Sequence, residues 1–230
     1  MGEALQQIPL DLGSRQTLGR EDFLIGACNV AAVSMIDRWP EWPAPLMIIS
    51  GPPASGKSHL AAVWRDRAGA ETIRPEMLLS RTAEQISEAG KHLVIDGLDP
   101  WLGDRQAETT LFHLYNIFWS EKRNILATMR MTPAQTQFAV ADLASRVRAS
   151  LTVPIQPPDD MLLGSVLIKQ FSDRQMSVNN DVIQYILPRM ERSFDAARTI
   201  VERADKLALS QKRGISVPLL RQVLAELQED

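Results

Sequence analysis

One cysteine, three histidines and two tyrosines in 230 residues close off whole classes of chemistry. The lone Cys28 excludes an intramolecular disulfide and a cysteine-rich zinc site; it reads as a small buried apolar residue in preference to a reactive thiol. Long hydrophobic runs are missing as well. No stretch approaches the roughly 18 apolar residues of a membrane span, and the opening MGEALQQIPLDLGSR has neither the basic start nor the apolar centre of a secretory leader. A cytoplasmic setting is the expectation. Nor is there an excess of one charge: 25 basic and 28 acidic residues, a formal net charge of -3, are mixed along the chain. That leaves no electrostatic footprint for sequence-independent DNA binding, so proteins and small molecules are the expected partners. Internal repeats and low-complexity tracts are also absent. What remains is core material, 45% hydrophobic residues, enough for one large domain or a domain with a small appendage.

The pattern changes twice along the chain. Residues 1–20 carry glycines, polar residues and one short apolar cluster, IPLDL, and are expected to form an extended arm outside the core. FLIGACNVAAVSMI then reads as a loop entering a helix, with Asn29 as N-cap and Val30, Val33 and Met35 among its apolar positions. WPEWPAP ends that helix, because proline disfavours helical geometry in the residue before it. The runs LMIIS (46–50), HLVID (92–96), NILAT (124–128) and LTVPI (151–155) are short and apolar, as strands buried on both faces are; Ile73 marks a weaker strand. The amphipathic helix ETTLFHLYNIFWSEK lies between two of them, and strands separated by helices predict an α/β fold with a mostly parallel sheet. QPPDD (156–160) breaks the pattern. From there the periodicity is helical, through LLGSVLIKQF, DVIQYIL, SFDAARTIVERADKLALS and VPLLRQVLAELQ, with Ser216 as N-cap of the last. The expected organisation is an arm (1–20), an α/β core (21–157) and a small all-helical domain (158–230).

Between strand LMIIS and a helix carrying Leu60, Val63 and Trp64 stands Gly51-Pro52-Pro53-Ala54-Ser55-Gly56-Lys57-Ser58, followed by His59. The spacing G-x-x-x-x-G-K-[ST], placed between a strand and a helix, is that of a P-loop. Its backbone N–H groups turn inward around phosphate oxygens at the helix N-terminus. Lys57 would neutralise the β and γ phosphates, Ser58 would offer a hydroxyl to Mg²⁺, and the glycines permit a close approach that a Cβ would block. Asp96, ending HLVID, is suited to hold the metal through its water shell, or else to cap a turn. The next residue is Gly97, where many such ATPases carry the acid that activates water. Asp99 sits two residues into a turn, so weak hydrolysis by the chain alone is expected. Thr128 is either a γ-phosphate contact or a satisfied strand-end hydroxyl. Arg146, Arg148 and Arg192 are either functional or solvated surface charges.

EDFLIGACNVAA, GPPASGKSHL, HLVIDGLDPWLGDRQAETTLFHLYN, LASRVRASLTVPIQPPDD and RSFDAARTIVERAD together resemble the AAA+ module of the DnaA family of replication initiators, and within it the short Hda-type regulators. The resemblance spans nearly the whole chain. It implies a P-loop AAA+ core with a five-stranded, Rossmann-like sheet and a helical lid. It further implies ADP or ATP with Mg²⁺ at the interface between core and lid, adenine near Leu24 and Ile25, an arginine finger at Arg146 acting in trans, and a sensor arginine at Arg192. Gln7-Ile8-Pro9-Leu10-Asp11-Leu12 is similar to the peptide with which Hda-type proteins bind the DNA polymerase sliding clamp. The glutamine would make polar contacts while Ile8, Leu10 and Leu12 fill an apolar pocket. The sequence ends after the lid-like helices, where initiators continue into a helix-turn-helix reader, so no sequence-specific DNA binding is expected. Two departures accompany the likeness: Gly97 replaces an acidic or amide residue, and Asp142 stands where the initiator has a second arginine. The resemblance implies a regulator that, with the clamp, promotes hydrolysis of DnaA-bound ATP, alone or as a homodimer. The other readings are a self-sufficient P-loop ATPase such as a helicase loader, and a nucleotide-dependent adaptor that activates nothing.

Overall fold

The computed structural model describes residues 24–229; the clamp-like peptide at Gln7, Ile8, Leu10 and Leu12 lies outside them. Among the described residues the expected strands appear as β1 (Leu46–Ser50), β2 (Glu71–Ile73), β3 (Leu93–Ile95), β4 (Ile125–Met129) and β5 (Leu151–Pro154). They form one sheet in the order β2-β3-β4-β1-β5, and every pair is parallel. The strands read as unbroken apolar runs because both faces are covered, and alternate side chains leave in opposite directions. Leu46, Ile48, Leu93, Ile95, Ile125 and Ala127 point into one core. There they meet α3 (Met77–Ser80), α4 (Ala83–Ser87), α5 (Arg105–Ser120) and α6 (Ala141–Ala149). Met47, Ile49, Val94, Leu126 and Val153 point the other way, against α1 (Val30–Asp37) and α2 (Lys57–Ala68).

Tryptophan dominates that second face. Trp64 on α2 is fully buried and stacks on Trp42 at 5.1 Å, while Trp39 meets it edge-on at 6.1 Å. The two outer indoles also satisfy their N–H groups, Trp39 on Asn124 Oδ1 and Trp42 on the Met35 carbonyl. His92 closes the cluster edge-on to Trp39 at 5.4 Å, and its Nδ1 accepts from the Asn124 N–H at 3.0 Å. Burial, and then the charges of Lys91 and Arg123, hold its pKa below the ordinary value. A neutral imidazole is required, since a protonated Nδ1 could not accept that bond. The folded chain therefore binds fewer protons than the unfolded chain between the depressed pKa and the unfolded value near 6.5. This contribution is fully present above about pH 6.5 and is lost as pH falls through that window. Urea midpoints measured from about pH 7.5 to about pH 5 are expected to fall more steeply for the parent than for His92→Asn, whose Oδ1 can take the acceptor's place.

The C-terminal helices α7 (Asp160–Asp173), α8 (Asn180–Ile186), α9 (Phe194–Gln211) and α10 (Val217–Glu229) have a separate core of Leu163, Leu167, Phe171, Ile200, Val201, Leu220 and their neighbours. Asp159 caps α7 by accepting from the Leu162 N–H at 2.8 Å, as the QPPDD break predicts. At the last helix the Ser216 carbonyl accepts the opening bond from Leu220.

Two local expectations need correction. Asn29 precedes α1 but gives it no side-chain cap. Its amide turns back, accepting from the Gly26 N–H and donating to the Leu24 carbonyl, so it stiffens the entering loop instead. The buried face of α1 is Ala32, Val33 and Ile36, whereas Val30 is 52% exposed and Met35 only half-buried.

Candidate functional site

Ligands of open parallel sheets sit at the C-terminal strand ends, where the chain departs in opposite directions from neighbouring strands. Here β1 is flanked by β4 and β5, and the register assembles the site. Ile49 of β1 pairs with Thr128, and Ile95 of β3 pairs with Ala127. The next residue after Ile95, Asp96, therefore falls beside Thr128, with the P-loop one strand away. Ser58 Oγ donates to Asp96 Oδ1 at 3.1 Å, and Thr128 Oγ1 donates to the same oxygen at 2.5 Å. The structure thus joins Ser58, Asp96 and Thr128, three residues separated by up to 70 positions in the numbering of one chain. Thr128 also accepts from the Gly97 N–H at 2.8 Å. In this arrangement the buried hydroxyl orients Asp96.

The loop itself has the geometry that an anion site needs. Gly51 lies where a Cβ would fall 2.4 Å from the Ile155 carbonyl oxygen, so only glycine lets β1 enter the loop beside β5. Gly56 is the N-cap of α2 in left-handed conformation, φ 93°. The helix ladder begins with Leu60 N–H to the Gly56 carbonyl, which leaves the N–H groups of Lys57 and Ser58 ahead of it as donors for a ligand. Ser55 Oγ is buried without a hydrogen-bond partner, a polar atom that phosphate oxygen would satisfy. Lys57 Nζ folds back onto the Pro52 carbonyl at 2.6 Å. Burial pushes its pKa below the ordinary lysine value, while Asp99 and Asp96 push it up and Arg130 pushes it down. A polyphosphate would supply the anionic charge that favours the ammonium form. Pro53 is exposed at the loop's crest, and His59 is half-buried in the first turn of α2.

Among the described residues no three His, Cys, Asp or Glu side chains are grouped to hold a metal. The Ser58 hydroxyl and Asp96 fit Mg²⁺ in another way, because this ion keeps most of its waters and takes further oxygens from phosphates. A water-activating base is a different matter. Gly97 adopts φ +78°, a backbone shape that side chains rarely adopt, although a Cβ added there would meet nothing within 4 Å. The Asp99 carboxylate is engaged by the Arg130 N–H at 2.7 Å and the Met131 N–H at 3.2 Å, so it braces the loop after β4.

Leu24 is half-buried and Ile25 is 56% exposed, next to Gly26, whose added Cβ would meet Leu162 of α7 at 3.0 Å. The Phe194 N–H at the start of α9 donates to the Ala54 carbonyl at 3.1 Å, a direct tie from the C-terminal helices to the P-loop that sequence patterns do not show. Arg192 lies before the Ser193 cap of α9 and pairs with Asp160 at 3.1 Å. Arg146 is exposed in the last turn of α6, outside the phosphate cluster. Its guanidinium lies over the Phe112 and Tyr115 rings at 5.5 and 5.3 Å, and Arg148 lies over Phe138.

Residues 161–224 match the family model described as the Hda lid domain. The whole fold is similar to domain III of the Thermotoga maritima replication initiation protein DnaA, with a TM-score of 0.77 at 17% identity, covering 96% of this chain and 98% of that one. The chain has the fold of DnaA domain III, and its C-terminal helices are similar to the Hda lid domain. AMPPCP-bound DnaA from Aquifex aeolicus is similar over 86% of this chain and 66% of its own, with a TM-score of 0.69 at 18% identity. Curated DnaA proteins from Thermomicrobium roseum and Nautilia profundicola are 24% and 23% identical over 90% and 85% of this chain. The chain spans about half the length of these relatives, 49% of each. Among the described residues no helix is long and apolar enough to cross a membrane.

Proposed function

We propose that this DnaA-related protein binds ADP or ATP as a structural ligand and acts on a partner's nucleotide, promoting hydrolysis of ATP held by DnaA while attached to the DNA polymerase sliding clamp. The observation that carries the reading is a site equipped to hold a nucleotide beside a missing base. Ser58, Asp96 and Thr128 are joined by hydrogen bonds. Position 97 is glycine with positive φ, and Asp99 is committed to backbone N–H groups. Holding without hydrolysing suits a regulator. The AMPPCP in a structurally similar DnaA and the Hda-type lid support the same reading.

In this account the P-loop N–H groups and Lys57 hold the polyphosphate, Ser58 and Asp96 hold Mg²⁺, and Leu24 and Ile25 flank the adenine. Arg192 leaves Asp160 for the phosphates and draws the lid onto the core. A bound Mg²⁺ would neutralise phosphate charge. Arg146 then serves DnaA's active site across an interface, where an arginine stabilises the charge that develops during phosphoryl transfer. Gln7, Ile8, Leu10 and Leu12 bring the protein to the clamp, which places the activity in the cytoplasm at replicating DNA.

Reconstitution with DnaA, clamp and DNA tests the proposal. ATP turnover should be weak for the chain alone and strongly raised in the full mixture. Robust turnover by the isolated chain would favour a self-sufficient ATPase. Alanine at Gln7, Leu10 and Leu12 together is expected to remove retention on immobilised clamp and, with it, the stimulation. Unchanged retention would dispose of the peptide's role.

A further inference from the structure

Among the described residues Glu108 is the only Asp, Glu, Lys or Arg side chain in the buried class, with no exposed surface at all. A carboxylate in that position must have its oxygens satisfied. Oε1 accepts from the Gly103 N–H at 2.6 Å, and Oε2 accepts from the Val140 N–H at 2.7 Å. Val140 is the N-cap of α6, and it provides no side-chain cap of its own. Glu108 therefore brings a negative charge from α5 to the end of α6 where the helix dipole is positive.

The other end of α6 is held by the same face of α5. Glu108, Phe112 and Tyr115 are spaced by four and three residues and so line up along one helix side. Phe112 and Tyr115 carry the Arg146 guanidinium above their rings, and Trp119, one turn further on, stacks on Tyr115 at 6.3 Å with its plane tilted by only 16°. Helix α6 is thus fixed at its start by a buried anion and near its finish by aromatic faces beneath its arginine. An arginine on an exposed last turn would otherwise sample many rotamers, and misplacement by about 1 Å can cost a reaction roughly a hundredfold.

We propose that Glu108 and Tyr115, with Phe112 completing the aromatic seat, are positioning residues for Arg146. They preset its guanidinium for entry into an anionic polyphosphate site on the partner, and they do not touch the reacting atoms. The inference rests on the reading of Arg146 as the group that acts in trans.

The test uses the full chain with Glu108→Gln, Tyr115→Leu and Tyr115→Phe, beside Arg146→Ala. In NMR spectra without any partner, the Arg146 side-chain protons should be displaced by ring currents in the parent and in Tyr115→Phe, and the displacement should shrink in Tyr115→Leu. Hydrogen exchange at Val140 and along α6 should quicken in Glu108→Gln. In the reconstituted assembly, Glu108→Gln and Tyr115→Leu should lower the saturated rate of ATP hydrolysis about tenfold, with the half-saturating concentration and nucleotide binding by the P-loop unchanged, and Tyr115→Phe should retain the parent's rate. Parental saturated rates for Glu108→Gln and Tyr115→Leu, with Arg146→Ala inactive, would overturn the positioning role alone. A loss that follows weakened nucleotide binding would overturn it too, in favour of a merely structural role. Parental stimulation by Arg146→Ala is a distinct result and would remove the trans-acting reading itself.

Discussion

An Arg146→Ala chain is expected to lose its stimulation of DnaA-bound ATP hydrolysis by about 10³-fold or more, the range that arginine fingers span, while folding and nucleotide binding stay as they were. The separation follows from where Arg146 sits. It is exposed on α6 and rests on two rings of α5, away from the Ser58–Asp96–Thr128 cluster. Losing those cation–π contacts at an exposed site should cost about 0.5–1 kcal/mol of stability, which leaves the fold intact. Arg146→Lys is expected to fare little better in activity, because an ammonium cannot present the planar fork that grips phosphoryl oxygens. Steady-state hydrolysis in the reconstituted mixture, with a melting curve of each variant, reads both quantities. Full stimulation by Arg146→Ala would exclude a trans-acting arginine at this position.

The second large effect belongs to Gly51→Ala. The new methyl would lie 2.4 Å from the Ile155 carbonyl oxygen, and that segment cannot retreat freely because the Ile155 N–H is bonded to the Ser50 carbonyl at 2.7 Å. Relief requires β1 and β5 to part at the mouth of the P-loop. Overpacking of this kind costs about 1–3 kcal/mol, or roughly 2–12 °C in melting temperature for a chain of this size. Nucleotide affinity should fall with it, because the loop's N–H groups hang from that strand end. Gly69→Ala is the control: it also needs a left-handed conformation, φ +59°, but a Cβ there meets nothing within 4 Å. It should lower stability by about 1–2 kcal/mol with nucleotide binding unchanged. Equal losses of binding in the two variants would argue against a specific close approach at Gly51.

These effects also show what the sequence could and could not reveal. Strands β1, β3, β4 and β5 are legible because burial on both faces makes each an apolar run, and the P-loop is legible because its chemistry depends on local spacing. Asp159 is legible as a cap for the same local reason. Helices α3 and α4, of four and five residues, are too short to show a period, although Thr82 and Gln85 form the reciprocal capping box whose spacing can be read in the chain. Long-range relations are harder. Glu108 looks like the solvent side of an amphipathic helix until α6 is laid across it. Asn29 has the right type for a cap, yet its amide satisfies the loop behind it. The pairing of Arg192 with Asp160 joins the starts of two lid helices 32 residues apart, the tie from Phe194 to Ala54 depends on how the lid meets the core, and no local pattern encodes either.

Every proposed role of this protein depends on the grip of the P-loop on an adenine nucleotide. Isothermal titration calorimetry of the purified chain with ADP and with ATP, each in the presence of Mg²⁺, measures it directly. Saturable association near one nucleotide per chain is predicted, weakened about tenfold or more in Lys57→Ala through loss of the charge-assisted contact to phosphate. No association of the folded parent with either nucleotide would contradict the account at its base.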